Sequence, residues 1–244
     1  MSITTLESVS SILSIIVVSI FIFVGLRIAS AYVKYKMRNF LLLGIGWALL
    51  SSPWWPSSIS FLIFLITNRG LDLRLYLLLG NVLVPLFSML IIISLTNLRF
   101  KKNKKYIVSI FGVIGVLFEI YFLYFLINDP NILGELHGIV DIEFNIIIKI
   151  YLASMTIVIL IAGMLISKES LRSEKSDIRL KGQFLFLAFV LSCIGAFADA
   201  TLPLTLLTIL IVRLILITGS IMFYLGFLLP KWLKKLILKE FVNK

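Results

Sequence analysis

Four of the charged side chains inside long apolar runs of this sequence stand out: Glu119, Lys149, Asp199 and Arg213. A charge in hydrocarbon is costly, so each needs a partner, water or a ligand. Two acids and two bases can neutralise one another. A Glu119–Arg213 ion pair has two interpretations that stay open, a purely structural pair or part of a ligand site. Lys149 and Asp199 are close enough to the expected membrane interface to reach it with their charged groups, which is the alternative for these two residues.

Other polar and aromatic residues lie at a similar depth. Asn81 is one turn from Pro85, and Trp54 and Trp55 stand between two prolines. Broken helices at membrane depth occur where they face protein or water, so this segment could line a cavity. The alternative for the two tryptophans is a proline kink near the membrane interface. Together with the four charges, these residues predict a polar ligand pocket.

Enzyme motifs are absent from the sequence. His137 is the only histidine and Cys193 the only cysteine, so the usual zinc sites cannot form. There is no Walker loop, no Gly-x-Ser-x-Gly elbow and no His-Glu-x-x-His motif. The last apolar run has no lysine that could hold retinal. We therefore expect no enzyme activity, no metal and no cofactor.

The composition indicates an integral membrane protein. The chain of 244 residues is 60% hydrophobic and only 14% charged, with a mean hydropathy of +1.10, whereas soluble domains carry about a quarter charged residues. The net charge of +11 could suggest nucleic acid, but the basic residues fall between apolar runs. The predicted fold is all-α: a polytopic bundle of seven transmembrane helices in the cell membrane.

The apolar runs set the predicted spans. They cover residues 10–33, 40–66, 75–98, 106–127, 146–166 and 184–230. As one helix the last run would be about 70 Å long, more than twice a hydrocarbon core of about 30 Å. It must fold back, and the sequence favours a break at residues 200–203. There Thr201 would cap a new helix and Pro203 would occupy its first turn.

The basic residues predict the orientation. Most of the 23 Lys and Arg residues fall in alternate gaps, at 34–38, 99–105, 168–181 and after Pro230. The opposite gaps hold only Arg69 and Arg74 among acidic residues. Because basic loops mark the cytoplasmic side, the N-terminus is expected outside and the C-terminus inside. The long acidic loop 128–145 would then cover the outer mouth of the bundle.

The C-terminal segment is a separate unit in this prediction. Residues 1–230 form the bundle, and 231–244 form a basic amphipathic cytoplasmic tail helix. Lipid headgroups or a partner protein could bind this tail, through Lys231, Trp232, Lys234, Lys235 and Lys239.

The last part of the chain resembles a known group of proteins. The resemblance rests on Gln183-Phe184-Leu185, Asp199, Arg213 and the run from Phe223 to Lys235. This pattern is similar to that of prokaryotic, chiefly archaeal, seven-helix membrane sensory modules. Such modules stand alone or precede histidine kinase or DNA-binding domains. The resemblance covers about a fifth of the chain, and it implies a stand-alone module that signals through a separate protein.

These observations lead to a functional expectation. The chain is read as a receptor-like sensor that binds a small molecule or lipid in its outer half and signals to a cytoplasmic partner. The alternatives are a small transporter or channel, and a structural subunit of a membrane complex. The partners considered are the lipid bilayer, a signalling protein and further copies of the chain, but not nucleic acid.

Overall fold

The computed structural model describes residues 3–202 and 205–238. Within these residues, seven helical segments are long and apolar enough to cross a membrane, which confirms the predicted number of spans. The segments are Thr5–Tyr35, Arg38–Thr67, Leu73–Arg99, Lys101–Asn128, Ile146–Leu171, Ser176–Thr201 and Leu206–Leu228. The chain is a multi-pass membrane protein.

The second and third spans are each broken into two helices. Helix α1 (Thr5–Tyr35) is followed by α2 (Arg38–Leu49) and α3 (Trp55–Thr67), which are joined through a 3-10 turn at Ser52–Trp54. The third span consists of α4 (Leu73–Asn81) and α5 (Val84–Arg99). Each break precedes a proline in the first turn of the next helix, because proline removes a helical hydrogen bond but suits a helix start.

The remaining spans are single helices, α6 (Lys104–Asn128), α7 (Ile146–Leu171), α8 (Ser176–Thr201) and α9 (Leu206–Leu228). The predicted break before the seventh span is in the right place, but its cap was wrong. Thr201 is the last residue of α8, and its hydroxyl donates back to the carbonyl of Phe197. Thr205 caps α9 in a reciprocal arrangement with Thr208. Pro203 lies outside the described residues.

The acidic loop contains a β-hairpin that the all-α prediction did not include. Strand β1 (Gly134–His137) pairs antiparallel with β2 (Asp141–Phe144). Gly138 begins the turn with a φ of 78°, a conformation that favours glycine. The turn is bound to the bundle: Glu7 Oε1 accepts from the Ile139 amide at 3.0 Å, and Ser60 donates to the Ile139 carbonyl at 2.6 Å. We call this side of the molecule the hairpin end.

The opposite side is the basic end, which carries residues 34–38, 99–105 and 168–181. Arg99 of α5 forms an ion pair with Glu169 of α7 at 2.9 Å there. Helix α7 continues to Leu171 and α8 begins at Ser176. Residues 168–181 are therefore mostly helical and extend these two spans.

Helices α8 and α9 pack closely along much of their length. Glycines permit this approach at three levels: Gly195 against Leu216, Gly219 against Ser192, and Gly226 against Leu185. A Cβ atom at Gly219 would lie 2.7 Å from the Ser192 hydroxyl and 3.1 Å from its backbone nitrogen. Small residues at such contacts let backbones approach inside a membrane. The two helices therefore form a tightly packed pair.

The tail begins as helix α10 (Lys231–Leu238) at the basic end. Leu233 packs with Leu180 and Leu229, and Lys234 Nζ lies 3.2 Å from Asp177 Oδ2 at the start of α8. The other tail residues predicted to bind lipid or a partner divide into two groups. Lys231, Trp232 and Lys235 are exposed, and Lys239 lies outside the described residues.

Candidate functional site

A cavity of about 520 Å³ lies between the spans at the hairpin end. Its wall on α8 runs from Phe189 to Thr201, which is about 18 Å of helix at 1.5 Å per residue. The hairpin contributes Val140 to Phe144 to the lining. The volume falls within the range of about 300–1,000 Å³ of small-molecule sites. The acidic loop thus covers one end of the cavity.

Three side chains from different spans meet in this cavity. Arg213 Nη1 of α9 lies 2.9 Å from Asp199 Oδ1 of α8. The indole nitrogen of Trp54 donates to Asp199 Oδ2 at 2.6 Å, and its ring lies 5.7 Å from the guanidinium carbon. The break between α2 and α3 places Trp54 here. Asp199 therefore has a partner on each oxygen, and Arg213 pairs with Asp199 instead of Glu119.

Arg213 keeps unused hydrogen-bonding capacity. The residue is 6% exposed, and a guanidinium carries five N–H donors and cannot lose its charge. Among the described residues, Nε has no hydrogen-bond partner; Nη1 lies close to Asp199 but makes no well-directed hydrogen bond to it. Buried donors without acceptors are destabilising. Both nitrogens are enclosed by protein atoms, whereas the residue as a whole borders the cavity, so a molecule there meets another edge of the guanidinium.

Four aromatic rings close the deep end of the cavity, and we call them the aromatic floor: Phe21, Trp47, Phe189 and Phe223. Trp47 stacks on Phe223 with centroids 3.4 Å apart and on Phe21 at 5.5 Å, and meets Phe189 edge to face. Its indole nitrogen donates to the Ser220 hydroxyl at 3.0 Å. Trp47 is 1% exposed. The floor separates the cavity from the basic end.

The hairpin side of the cavity carries a second ion pair. Lys149 Nζ lies 3.1 Å from Glu143 Oε1, and that hydrogen bond holds the pKa of Glu143 below its ordinary value. The pKa of the Asp141 carboxyl is raised because burial disfavours its charged form. Tyr76 donates to the Val140 carbonyl and fastens the hairpin. Lys149 thus lines the cavity near its mouth, as part of a pair.

Glu119 lies away from this site. It is half-buried on α6 and does not line the cavity. Its Oε2 is buried and has no hydrogen-bond partner among the described residues. The neighbouring small residue Gly115 faces Pro85 of α5. The pairing with Arg213 that its depth suggested does not form.

Asn81 and Trp55 also lie outside the cavity lining. Asn81 is buried, and its side-chain nitrogen donates to the Leu77 carbonyl one turn earlier, at the break between α4 and α5. Trp55 donates to the Ser51 hydroxyl at 3.0 Å and so bridges the break in the second span. Both side chains support broken helices beside the cavity.

The cavity lining is mostly apolar, with a few polar and charged side chains. Within residues 3–202 and 205–238, no three His, Cys, Asp or Glu side chains cluster as metal ligands. Cys193 lines the cavity and its sulfur lies 3.6 Å from the Thr156 carbonyl. The lining thus combines apolar side chains with two ion pairs and the indole donor of Trp54.

Several residues of the site were not identified from the sequence. Trp47, Phe189 and Phe223 lie in uniformly apolar runs, where aromatic residues carry no positional signal. Two other residues could have been proposed from the sequence: Tyr76, because a loop that covers the bundle needs side chains to hold it, and Asp141, because it is one of the acids of that loop. Gly138 in that loop was the available turn signal.

Scans against protein-family models, curated proteins and solved structures found no match for this chain. The resemblance to prokaryotic sensory modules therefore stays a prediction. Function must be argued from the geometry of the cavity.

Proposed function

We propose that this chain is a receptor-like sensory module of the cell membrane. It binds a small molecule or lipid in the hairpin-end cavity and signals to a cytoplasmic partner. The observation that carries the proposal is a chamber covered by the hairpin and closed by the aromatic floor, with Trp54, Asp199 and Arg213 in its wall. Because the aromatic floor closes the other end of the chamber, a ligand would enter and leave at the hairpin end.

The floor favours a sensor over a passage. Trp47 stacks on two rings and bonds to Ser220, so it fills the centre of the bundle below the cavity. A transported substrate would have to displace all of these contacts. A ligand that only binds leaves them in place.

The α8–α9 pair supplies a route from the cavity to the basic end. Asp199 and Arg213 join the two helices at the cavity. At the other end of α8, Asp177 holds Lys234 of the tail. A ligand shifts a protein between two states only if it binds them unequally. A ligand that binds Arg213 changes the ion pair between Arg213 and Asp199 and so moves α8 relative to α9. Because the two helices pack closely at their glycines, this movement reaches the tail.

The sensor needs a defined orientation, and we propose that the basic end faces the cytoplasm. The support is the concentration of Lys and Arg in the loops of that end. The test replaces the single cysteine (Cys193→Ala) and introduces one cysteine at exposed Glu135 or exposed Lys102. A membrane-impermeant maleimide applied to intact cells should label position 135 and spare position 102. The reverse pattern contradicts the orientation.

The signalling role is tested by crosslinking in native membranes. A photoreactive amino acid at exposed Leu236 should trap one defined protein. The matched control is the same amino acid at Tyr106, which is equally exposed at the basic end but lies on α6. Identical products from both positions, or none from the tail, contradict a tail-bound partner.

A second candidate, a small transporter or channel, is favoured by one observation. The second and third spans are both broken beside the cavity, and transporter sites are often built at such interruptions. Uptake into vesicles with purified protein decides between the two. If the native protein shows no uptake and the Trp47→Ala variant does, the result supports a sensor whose aromatic floor is closed. Substantial uptake by the native protein supports transport.

A further inference from the structure

The cavity is polar at one end and apolar at the other. Trp54, Asp199 and Arg213 lie toward the hairpin, and the aromatic floor lies about three turns of α8 deeper. Between them the wall is mostly apolar, with Val212 and Leu216 on α9, and it includes Ser192 on α8 and Thr156 on α7. A molecule that matches both ends has a polar head and an apolar body. The chamber thus orients an amphiphile with its head at Arg213.

The head must supply acceptor oxygens. Arg213 borders the cavity and is more than nine-tenths buried, and among the described residues its enclosed Nε and Nη1 atoms have no hydrogen-bond partner. A guanidinium donates and never accepts. Both oxygens of Asp199 are already engaged by Arg213 and Trp54. A head group that reaches the guanidinium must therefore supply carbonyl, ester or hydroxyl oxygens.

The charge of the site opposes an ionic head. Asp199 already neutralises Arg213, and Glu143 is matched by Lys149. The remaining acid of the lining, Asp141, lies in the hairpin, and burial raises its pKa because it disfavours the charged carboxylate. An anion placed at Arg213 would lie beside the Asp199 carboxylate and add a buried charge without a counter-ion. A cation would lie beside the guanidinium. Both arrangements are unfavourable in a low dielectric, whereas an uncharged oxygen accepts from the guanidinium without adding a charge.

We infer that the ligand of this cavity is an uncharged single-chain amphiphile whose head presents carbonyl or hydroxyl oxygens to Arg213. This inference rests on the proposed function, since it names the ligand class of the same site. The volume of about 520 Å³ suits one chain, and the depth of about 18 Å along α8 suits an extended one. Its tail ends on the aromatic floor.

The test uses tryptophan fluorescence of the full chain in lipid nanodiscs. Trp55→Phe and Trp232→Phe remove the two tryptophans outside the cavity, which leaves Trp47 and Trp54 in its lining. Three probes share one brominated chain and differ only in their head: a monoglyceride, a carboxylate and a trimethylammonium. The monoglyceride should quench saturably, at a half-saturating concentration about tenfold or more below the other two.

Two variants locate the effect. Ala153→Phe fills the cavity from α7 and should abolish saturable quenching by every probe, leaving only quenching from the bulk lipid. The double variant Arg213→Met with Asp199→Asn keeps the site neutral, so it should fold. It should weaken monoglyceride binding about tenfold and erase the preference among heads.

The outcomes separate the inference from the function it rests on. Equal affinity for the three heads, or tighter binding of the carboxylate or the ammonium, overturns the uncharged-head assignment and leaves a ligand cavity standing. Saturable quenching by none of the probes in the otherwise native chain contradicts both. If the double variant still prefers the monoglyceride, Arg213 is not the group that distinguishes the head groups, and the inference is wrong.

Discussion

Replacing Asp199 by Asn is predicted to destabilise the protein more than replacing Arg213 by Met. The two side chains form one ion pair, but they differ in what remains when the partner is lost. Asp199→Asn leaves a guanidinium that cannot lose its proton and whose side chain is 7% exposed. Arg213→Met leaves a carboxylate that is 29% exposed, keeps its bond from Trp54 and can take up a proton.

The magnitudes follow from these environments. Breaking a buried ion pair costs about 3–5 kcal/mol when the remaining charge stays buried. Asp199→Asn should cost about 3 kcal/mol, since Arg213 is nearly fully enclosed. Arg213→Met should cost about 1 kcal/mol, because the remaining carboxylate reaches water and Met fills part of the space. The double variant should cost no more than about 1 kcal/mol relative to the native protein, which makes the coupling about 3–4 kcal/mol.

The assay is equilibrium unfolding in mixed detergent micelles, followed by far-ultraviolet circular dichroism for the native protein, both single variants and the double variant. The free energies of unfolding complete a double-mutant cycle. If Arg213→Met costs as much as Asp199→Asn, the assigned burial of the two groups is wrong. A coupling energy below about 0.5 kcal/mol would refute the ion pair itself.

Three further predictions concern the helix pair and the hairpin. Gly219→Ala should cost about 1–3 kcal/mol in unfolding free energy, because its Cβ would meet Ser192 backbone and side-chain atoms. Gly112→Ala, whose Cβ meets only a methionine methyl at 3.9 Å, should be neutral or stabilising in the same assay. Lys149→Met should raise the pKa of Glu143, which carboxyl NMR titration measures; an unchanged value contradicts their pairing. Tyr76→Phe should speed amide exchange in the hairpin and weaken it by about 1 kcal/mol, and equal exchange in both proteins contradicts that anchor.

The spans were predictable because the apolar runs are long and the bilayer sets their length. The turn before α9 shows the limit of that reasoning. The sequence placed it correctly near residue 202, but Thr201 and Thr205 are both capping residues, and only backbone geometry selects Thr205. The hairpin was not predicted because strands of four residues show too little alternation of polar and apolar residues to be distinguished from a polar loop.

The site was predictable in part. Depth along each span brought Asp199 and Arg213 into one candidate set, and the structure joins them. Depth does not report how each helix is rotated about its axis, and rotation decides which charges meet. Glu119 belongs to the same layer but faces another part of the bundle. Trp54 was identified by its flanking prolines, whereas Trp47 in the floor had no comparable mark.

The orientation stays a prediction that rests on the basic loops. The cytoplasmic partner and the sensory role stay predictions that depend on one physical claim: the chamber between the hairpin and the aromatic floor is a ligand site in which Arg213 orients the ligand. The Asp177–Lys234 contact connects that claim to signalling, because the helix that carries Asp199 also holds the tail.

The most direct measurement is a cryo-electron-microscopy map of the chain purified from its native membrane in nanodiscs, with a bound antibody fragment to aid alignment. We predict elongated density between the hairpin and Trp47, with its polar end within about 3.5 Å of the Arg213 guanidinium. Density for isolated waters alone along the chamber would contradict the account. So would side chains that collapse into the chamber and fill it.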